Sequence, residues 1–120
     1  MAQHNDLGNL GEQLAKDFLL KNSYTILETN WRYLKAEVDI IAKKENTLAI
    51  VEVKTRTTDF FGSPEEFITK GKIKLLIMAA NAYVEQKNLD TEVRFDVIAI
   101  VKNNKKTELN HIEEAFLSFE

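Results

Sequence analysis

The chain of 120 residues is 44% hydrophobic, which supplies one core and predicts a single domain over residues 1–120. A formal charge of −3 excludes DNA coating through bulk positive charge, and the absence of cysteine excludes disulfides and thiolate metal sites. The N-terminal residues lack a basic segment followed by an apolar one, and no apolar run reaches the length of about 18 residues that spans a bilayer, so a cytoplasmic protein without membrane contact is expected.

Leu7, Leu10, Leu14, Ala15, Phe18 and Leu19 recur at helical spacing, which predicts an amphipathic helix over 7–21 with Asp6 as N-cap. Glu12 falls on the flank of that apolar stripe, placed to reach a cleft beside the core. Residues 23–31 have strand composition. Residues 37–42 and 48–56 read as two further strands joined by the polar turn Lys43-Lys44-Glu45-Asn46-Thr47. Ser63-Pro64-Glu65-Glu66 then has the residues of a helix start with a capping box. The helix is predicted to run to Lys87, with a kink or break allowed at Gly71. Residues 93–101, nearly all apolar, predict a strand covered on both faces, and the tail from Glu108 adds a short strand or helix. The order αβββαβ gives an α/β domain, a mixed sheet flanked by helices.

Glu52-Val53-Lys54 is a Glu-x-Lys string, as is Glu85-Gln86-Lys87, but only the first lies inside a strand pattern, after Leu48-Ala49-Ile50-Val51. A turn centred between Glu45 and Asn46 would set opposite each other residues whose numbers sum to 91, and Asp39 then faces Glu52. In that register Ile40/Val51 and Val38/Val53 form one apolar face. Ile41/Ile50, Asp39/Glu52 and Glu37/Lys54 form the other. Two carboxylates directly opposed destabilise the ribbon unless positive charge lies between them. With Lys54 drawn to Glu37, Asp39 and Glu52 are left to share a divalent cation, and such oxygen ligands favour Mg²⁺ or Mn²⁺. The competing reading is a surface salt-bridge cluster without metal. A metal that activates water beside an ammonium suits phosphodiester hydrolysis. Arg56, Lys70, Lys72 and Lys74 are candidate nucleic-acid contacts, against the plain reading of a solvated helix face for the lysines. Trp31 is read as packing before base stacking, and Arg94 with Asp96 either lines the site or forms a structural ion pair.

Asp39 followed by Glu52-Val53-Lys54 resembles the PD-(D/E)xK nuclease superfamily, with Val38-Asp39 in place of its Pro-Asp. More closely, the chain resembles the YraN-like family of small bacterial proteins, predicted endonucleases distantly related to archaeal Holliday junction resolvases. The likeness rests on Gly8-Asn9-Leu10-Gly11-Glu12, Asn30-Trp31-Arg32, residues 37–42, residues 51–56, Phe61-Gly62 and Arg94-Phe95-Asp96-Val97. It implies a restriction-endonuclease-like core in which Asp39, Glu52 and the Val53 carbonyl hold the metal. By the same likeness Lys54 stands beside the attacked phosphate and Glu12 joins from the first helix, with Glu37 a weaker candidate. Ala36 departs from the glycine usual in the family. DNA, possibly branched, is the implied partner, with linear DNA, junctions, RNA and single strands all open as substrates, and the resolvase likeness implies a homodimer. Two other functions stay open: a non-cutting nucleic-acid-binding module with the nuclease fold, and a protein-interaction subunit.

Overall fold

The computed structural model describes residues 3–58 and 68–116. The elements are α1 (Gln3–Lys21), β1 (Thr25–Tyr33), β2 (Ala36–Lys44), β3 (Thr47–Arg56), α2 (Lys70–Lys87), β4 (Glu92–Lys102) and β5 (Thr107–Phe116). The strands form one mixed sheet in the order β1-β2-β3-β4-β5, antiparallel except for the central β3–β4 pair. This is an α/β architecture consistent with a restriction-endonuclease-like core. None of the helices described is long and apolar enough to cross a membrane.

Each face of the sheet carries one helix, because β2, β3 and β4 are apolar on both sides. Beneath α1, Ala15 and Leu19 pack with Ile40, Ala42, Ala49, Val51, Ile98 and Ile100. Beneath α2, Leu76, Ala79, Ala80 and Tyr83 pack with Val38, Ile41, Leu48, Ile50, Phe95 and Val97. The parallel register runs unbroken from Thr47↔Glu92 to Arg56↔Val101, with α2 as the crossover that two parallel strands require. Residues 95–101 are all buried, as a strand covered on both faces must be.

The helix boundaries differ from expectation. Helix α1 begins at Gln3, so Asp6 lies in its first turn, where its charge favours the helix dipole, and does not cap it. The proposed start at Ser63-Pro64-Glu65-Glu66 lies outside the described residues. Helix α2 begins at Lys70, capped by the Thr69 hydroxyl, which accepts the Lys72 N–H at 3.1 Å. Gly71 is thus in the first turn of the helix, and the interruption allowed there falls just before it, at the non-helical Ile68 and Thr69. The tail forms a full strand, β5, paired antiparallel with β4.

Strand β4 buries a charge and matches it. Asp96 is fully buried and accepts hydrogen bonds from Arg94 Nε (2.9 Å) and Nη2 (2.8 Å), from His111 Nε2 (2.8 Å) and from the Glu114 N–H (3.2 Å). Burial pushes this carboxyl up, but the bonds from His111 and Arg94 outweigh it and hold it below the usual carboxylate range. Arg94 and Asp96 are therefore a structural ion pair, knitting β4 to β5 and to Tyr24. Trp31 is packing too: its ring meets Tyr83 edge-on at 5.1 Å and stacks on Tyr33 at 6.2 Å.

Candidate active site

The β2–β3 hairpin has the predicted register. Ile40↔Val51, Ile41↔Ile50, Ala42↔Ala49, Lys43↔Leu48 and Lys44↔Thr47 all sum to 91, around a turn in which Glu45 takes a left-handed φ of 54°. At Asp39 the ribbon changes. Val38 packs in the same cluster as Ile41, while Ile40 packs in the other. A two-residue alternation cannot put residues 38 and 41 on one face, so the strand slips by one residue between them. The slip is shared by β1, where Thr29↔Ile40 and Trp31↔Val38 bracket Asn30, whose φ of 50° is left-handed. The expected apolar face of Ile40/Val51 with Val38/Val53 is therefore corrected: Val38 has moved to the α2 side.

The slip gives Asp39 its role. In the unbroken register Val53 would exchange backbone hydrogen bonds with Val38, but the ladder ends at Ile40↔Val51. The Asp39 carboxylate takes the vacated position and accepts the Val53 N–H at 2.8 Å through Oδ2. Since the N–H and C=O of one strand residue point the same way, the Val53 carbonyl faces the same gap.

Glu52 lies one residue before, on the α2 face, with its side chain only 5% exposed. Its Oε2 is 3.3 Å from Lys54 Nζ and 3.6 Å from Lys72 Nζ. Its Oε1 is buried and has no hydrogen-bond partner. The expected Glu37–Lys54 pair does not form, because Lys54 turns to Glu52 on its own strand and Glu37 pairs with Arg32 at 3.8 Å.

Electrostatics link the carboxylates. The Asp39 carboxyl is pushed up to about 7, first by burial and next by the charge of Glu52, while the Val53 N–H and Lys72 pull it down. Glu12 also raises it, from α1. The Glu12 oxygens accept from Asn30 Nδ2 at 3.2 and 3.3 Å. Close packing fixes the approach of this helix: a Cβ on Gly11 would overlap the Thr55 side chain, so only glycine lets α1 sit against β3 here.

The predicted residues thus separate into two groups. Asp39, Glu52, Lys54 and the Val53 backbone come together, with Glu12 acting on Asp39 through its charge. No three acidic or histidine side chains close around a common point among the described residues. Arg56 is exposed at the end of β3 and donates to the Thr55 carbonyl at 3.3 Å. Lys70 and Lys74 are exposed, and at about 100° per residue they share a side of α2 opposite Lys72. Sequence reasoning missed two residues: Asn30, the partner of Glu12, and the aim of Lys72 at Glu52. Asn30 did leave a signal, since asparagine tolerates left-handed backbone better than most residues.

The Asp39 and Glu52 carboxylates, the latter with its buried Oε1 unpartnered, and the Val53 carbonyl at the gap form an all-oxygen donor set that fits a hard divalent cation such as Mg²⁺ or Mn²⁺. A model of the family described as "Uncharacterised protein family UPF0102" matches residues 11–100, a span holding Glu12, Asp39, Glu52, Lys54 and Lys72. The chain is 56% identical over 119 residues to a UPF0102 protein of Flavobacterium psychrophilum, covering 99% of this chain and 100% of that one. It is 55% identical to one of Christiangramia forsetii over 119 residues, with the same coverage. A UPF0102 protein of Parabacteroides distasonis is 46% identical over 116 residues, 97% of this chain and 96% of its own.

Proposed function

The chain belongs to the uncharacterised protein family UPF0102, the YraN-like family its motifs resemble, and from its site we propose a metal-dependent endonuclease that hydrolyses phosphodiester bonds in DNA. The observation that carries this reading is Glu52, buried with one carboxylate oxygen unpartnered, beside an Asp39 whose ionisation the protein resists. A buried acceptor left unmade costs about 1–3 kcal/mol, which a bound cation offsets. A salt-bridge cluster complete in itself has two lysines on Glu52 Oε2 in its favour, but it leaves Oε1 unexplained.

In this account Asp39, Glu52 and the Val53 carbonyl hold Mg²⁺ or Mn²⁺. When bound, that cation supplies an activated water and neutralises phosphate charge. Asp39 is oriented by the Val53 N–H and Glu12 by Asn30. Lys54, held by Glu52, stands beside the attacked phosphate and stabilises the negative charge that grows on its oxygens in the transition state. Branched or junction DNA is the first substrate class to test, in the cytoplasm. Cutting both strands of a duplex calls for two copies of the chain.

The test is a panel of labelled linear, flapped, junction and single-stranded DNA and RNA, incubated with Mg²⁺, Mn²⁺ or chelator. Cleavage is expected with either metal, absent in chelator and abolished by Glu52→Gln. Cleavage that persists in chelator or in the variant would overturn the assignment. Salt-sensitive binding without cutting would favour the non-cutting module.

A further inference from the structure

Lys72 forms a second cation contact to Glu52, and the nuclease chemistry outlined above needs only Lys54. The two lysines reach the same oxygen from different elements, Lys54 at 3.3 Å with a 26% exposed side chain and Lys72 at 3.6 Å with a 36% exposed one. Their anchoring differs too. The Lys72 backbone is fixed by the Thr69 cap, while its ammonium sits on a flexible four-carbon stem at the mouth of the site. Lys54 is the more enclosed and lies on the strand itself.

In the metal-free site the buried Glu52 carboxylate is met by two ammonium groups on one oxygen, Lys54 from its own strand and Lys72 from α2. A divalent cation taken up beside these two ammonium groups adds positive charge to positive charge, and the group that offsets it is an anionic phosphodiester backbone. We propose that Lys72 is the stand-in counter-ion of Glu52 in the metal-free protein, and that it turns to a backbone phosphate when metal and DNA bind. Lys72 thereby makes metal and nucleic acid bind cooperatively, because it repels the cation until a phosphate draws it away. This rests on the nuclease reading and extends it. The site takes up metal weakly when empty and firmly when loaded with substrate. Lys70 and Lys74, on the other side of α2, have no part in this exchange.

The test is Mn²⁺ binding without nucleic acid, followed by electron paramagnetic resonance on the parent, Lys72→Met, Lys72→Gln and Lys72→Arg. Lys21→Met, about nine residues and 13 Å along α1 from Glu12, controls for net charge. Both neutral Lys72 variants are expected to bind Mn²⁺ on the order of tenfold more tightly than the parent, since a unit charge near a partly buried cation is removed. Lys72→Arg should stay near the parent, and Lys21→Met within about twofold. The same neutral variants should cut DNA more slowly at saturating Mn²⁺, a pairing of tighter metal with slower chemistry that loss of fold would not produce. Unchanged or weaker Mn²⁺ binding in both neutral variants overturns the role of Lys72, and leaves the nuclease reading standing if Glu52→Gln abolishes the parent's binding. A parent that binds no Mn²⁺ overturns both.

Discussion

Removing the charge of Asp39 should stabilise the metal-free protein, and by an amount that depends on pH. Its carboxyl is raised from 3.8 to about 7, by burial first and by Glu52 second. At about 1.36 kcal/mol per unit, that rise of about three units sets a ceiling of about 4 kcal/mol on the cost of ionising Asp39 in the fold. Solvent at a partly exposed site reduces it to about 1–3 kcal/mol. The folded chain keeps this proton up to about pH 7, whereas the unfolded chain releases it near pH 4. Between those values the parent loses stability as pH rises, and above pH 7 it carries the full cost. Asp39→Asn is neutral throughout, and its amide oxygen can still accept the Val53 N–H. An entropy of unfolding of about 2.1 cal/mol/K per residue gives about 4 °C per kcal/mol for a chain of this length. Melts followed by circular dichroism in chelator should therefore show Asp39→Asn about 4–12 °C above the parent at pH 8 and level with it at pH 4. An equal difference at both pH values, or a variant that melts lower at pH 8, would refute the reasoning.

Gly11→Ala places a methyl group against Thr55 and should lower the melting temperature by about 4–12 °C, the cost of overpacking by about 1–3 kcal/mol. Combining it with Thr55→Ala should recover part of that loss. Asp96→Asn breaks the buried pairing with Arg94 and His111 and should cost about 3 kcal/mol at pH 7, read in urea titrations. Because the folded Asp96 carboxyl lies below its ordinary value, the stability it contributes is present at neutral pH and lost in acid, so the gap to the variant should narrow towards pH 3. Lys70→Ala with Lys74→Ala should weaken DNA binding and reduce the slope of log affinity against log salt by up to about two, with cleavage of bound DNA unchanged.

The hairpin was legible because two signals agreed: the turn at Glu45-Asn46 and the apolar run of both strands set one register, and each observed pair obeys it. From that register Asp39, Glu52 and Lys54 could be placed near one another by number alone. The slip at Asp39 could not, because one extra residue in each of two strands leaves the composition unchanged and shows only in which core Val38 and Ile40 enter. The same slip explains why Lys54 pairs with Glu52 and not with Glu37. Lys70, Lys72 and Lys74 read as one cluster in the sequence. Helical spacing puts Lys72 opposite the other two, and that it is Lys72 which faces Glu52 depends on how α2 packs on the sheet. Asp96 and His111 meet only because β5 returns beside β4, and the charged alternation of that tail gave a weak strand signal.

Single-turnover cleavage and equilibrium binding of the same DNA, compared between the parent and Lys54→Ala in Mg²⁺, test most directly that the chemistry is done at the Asp39–Glu52–Lys54 cluster. Cleavage should fall by about 10²–10³, the loss typical of one transition-state donor, while binding changes by no more than about twofold. Cleavage within about twofold of the parent, or a loss of cutting matched by an equal loss of binding, would contradict it.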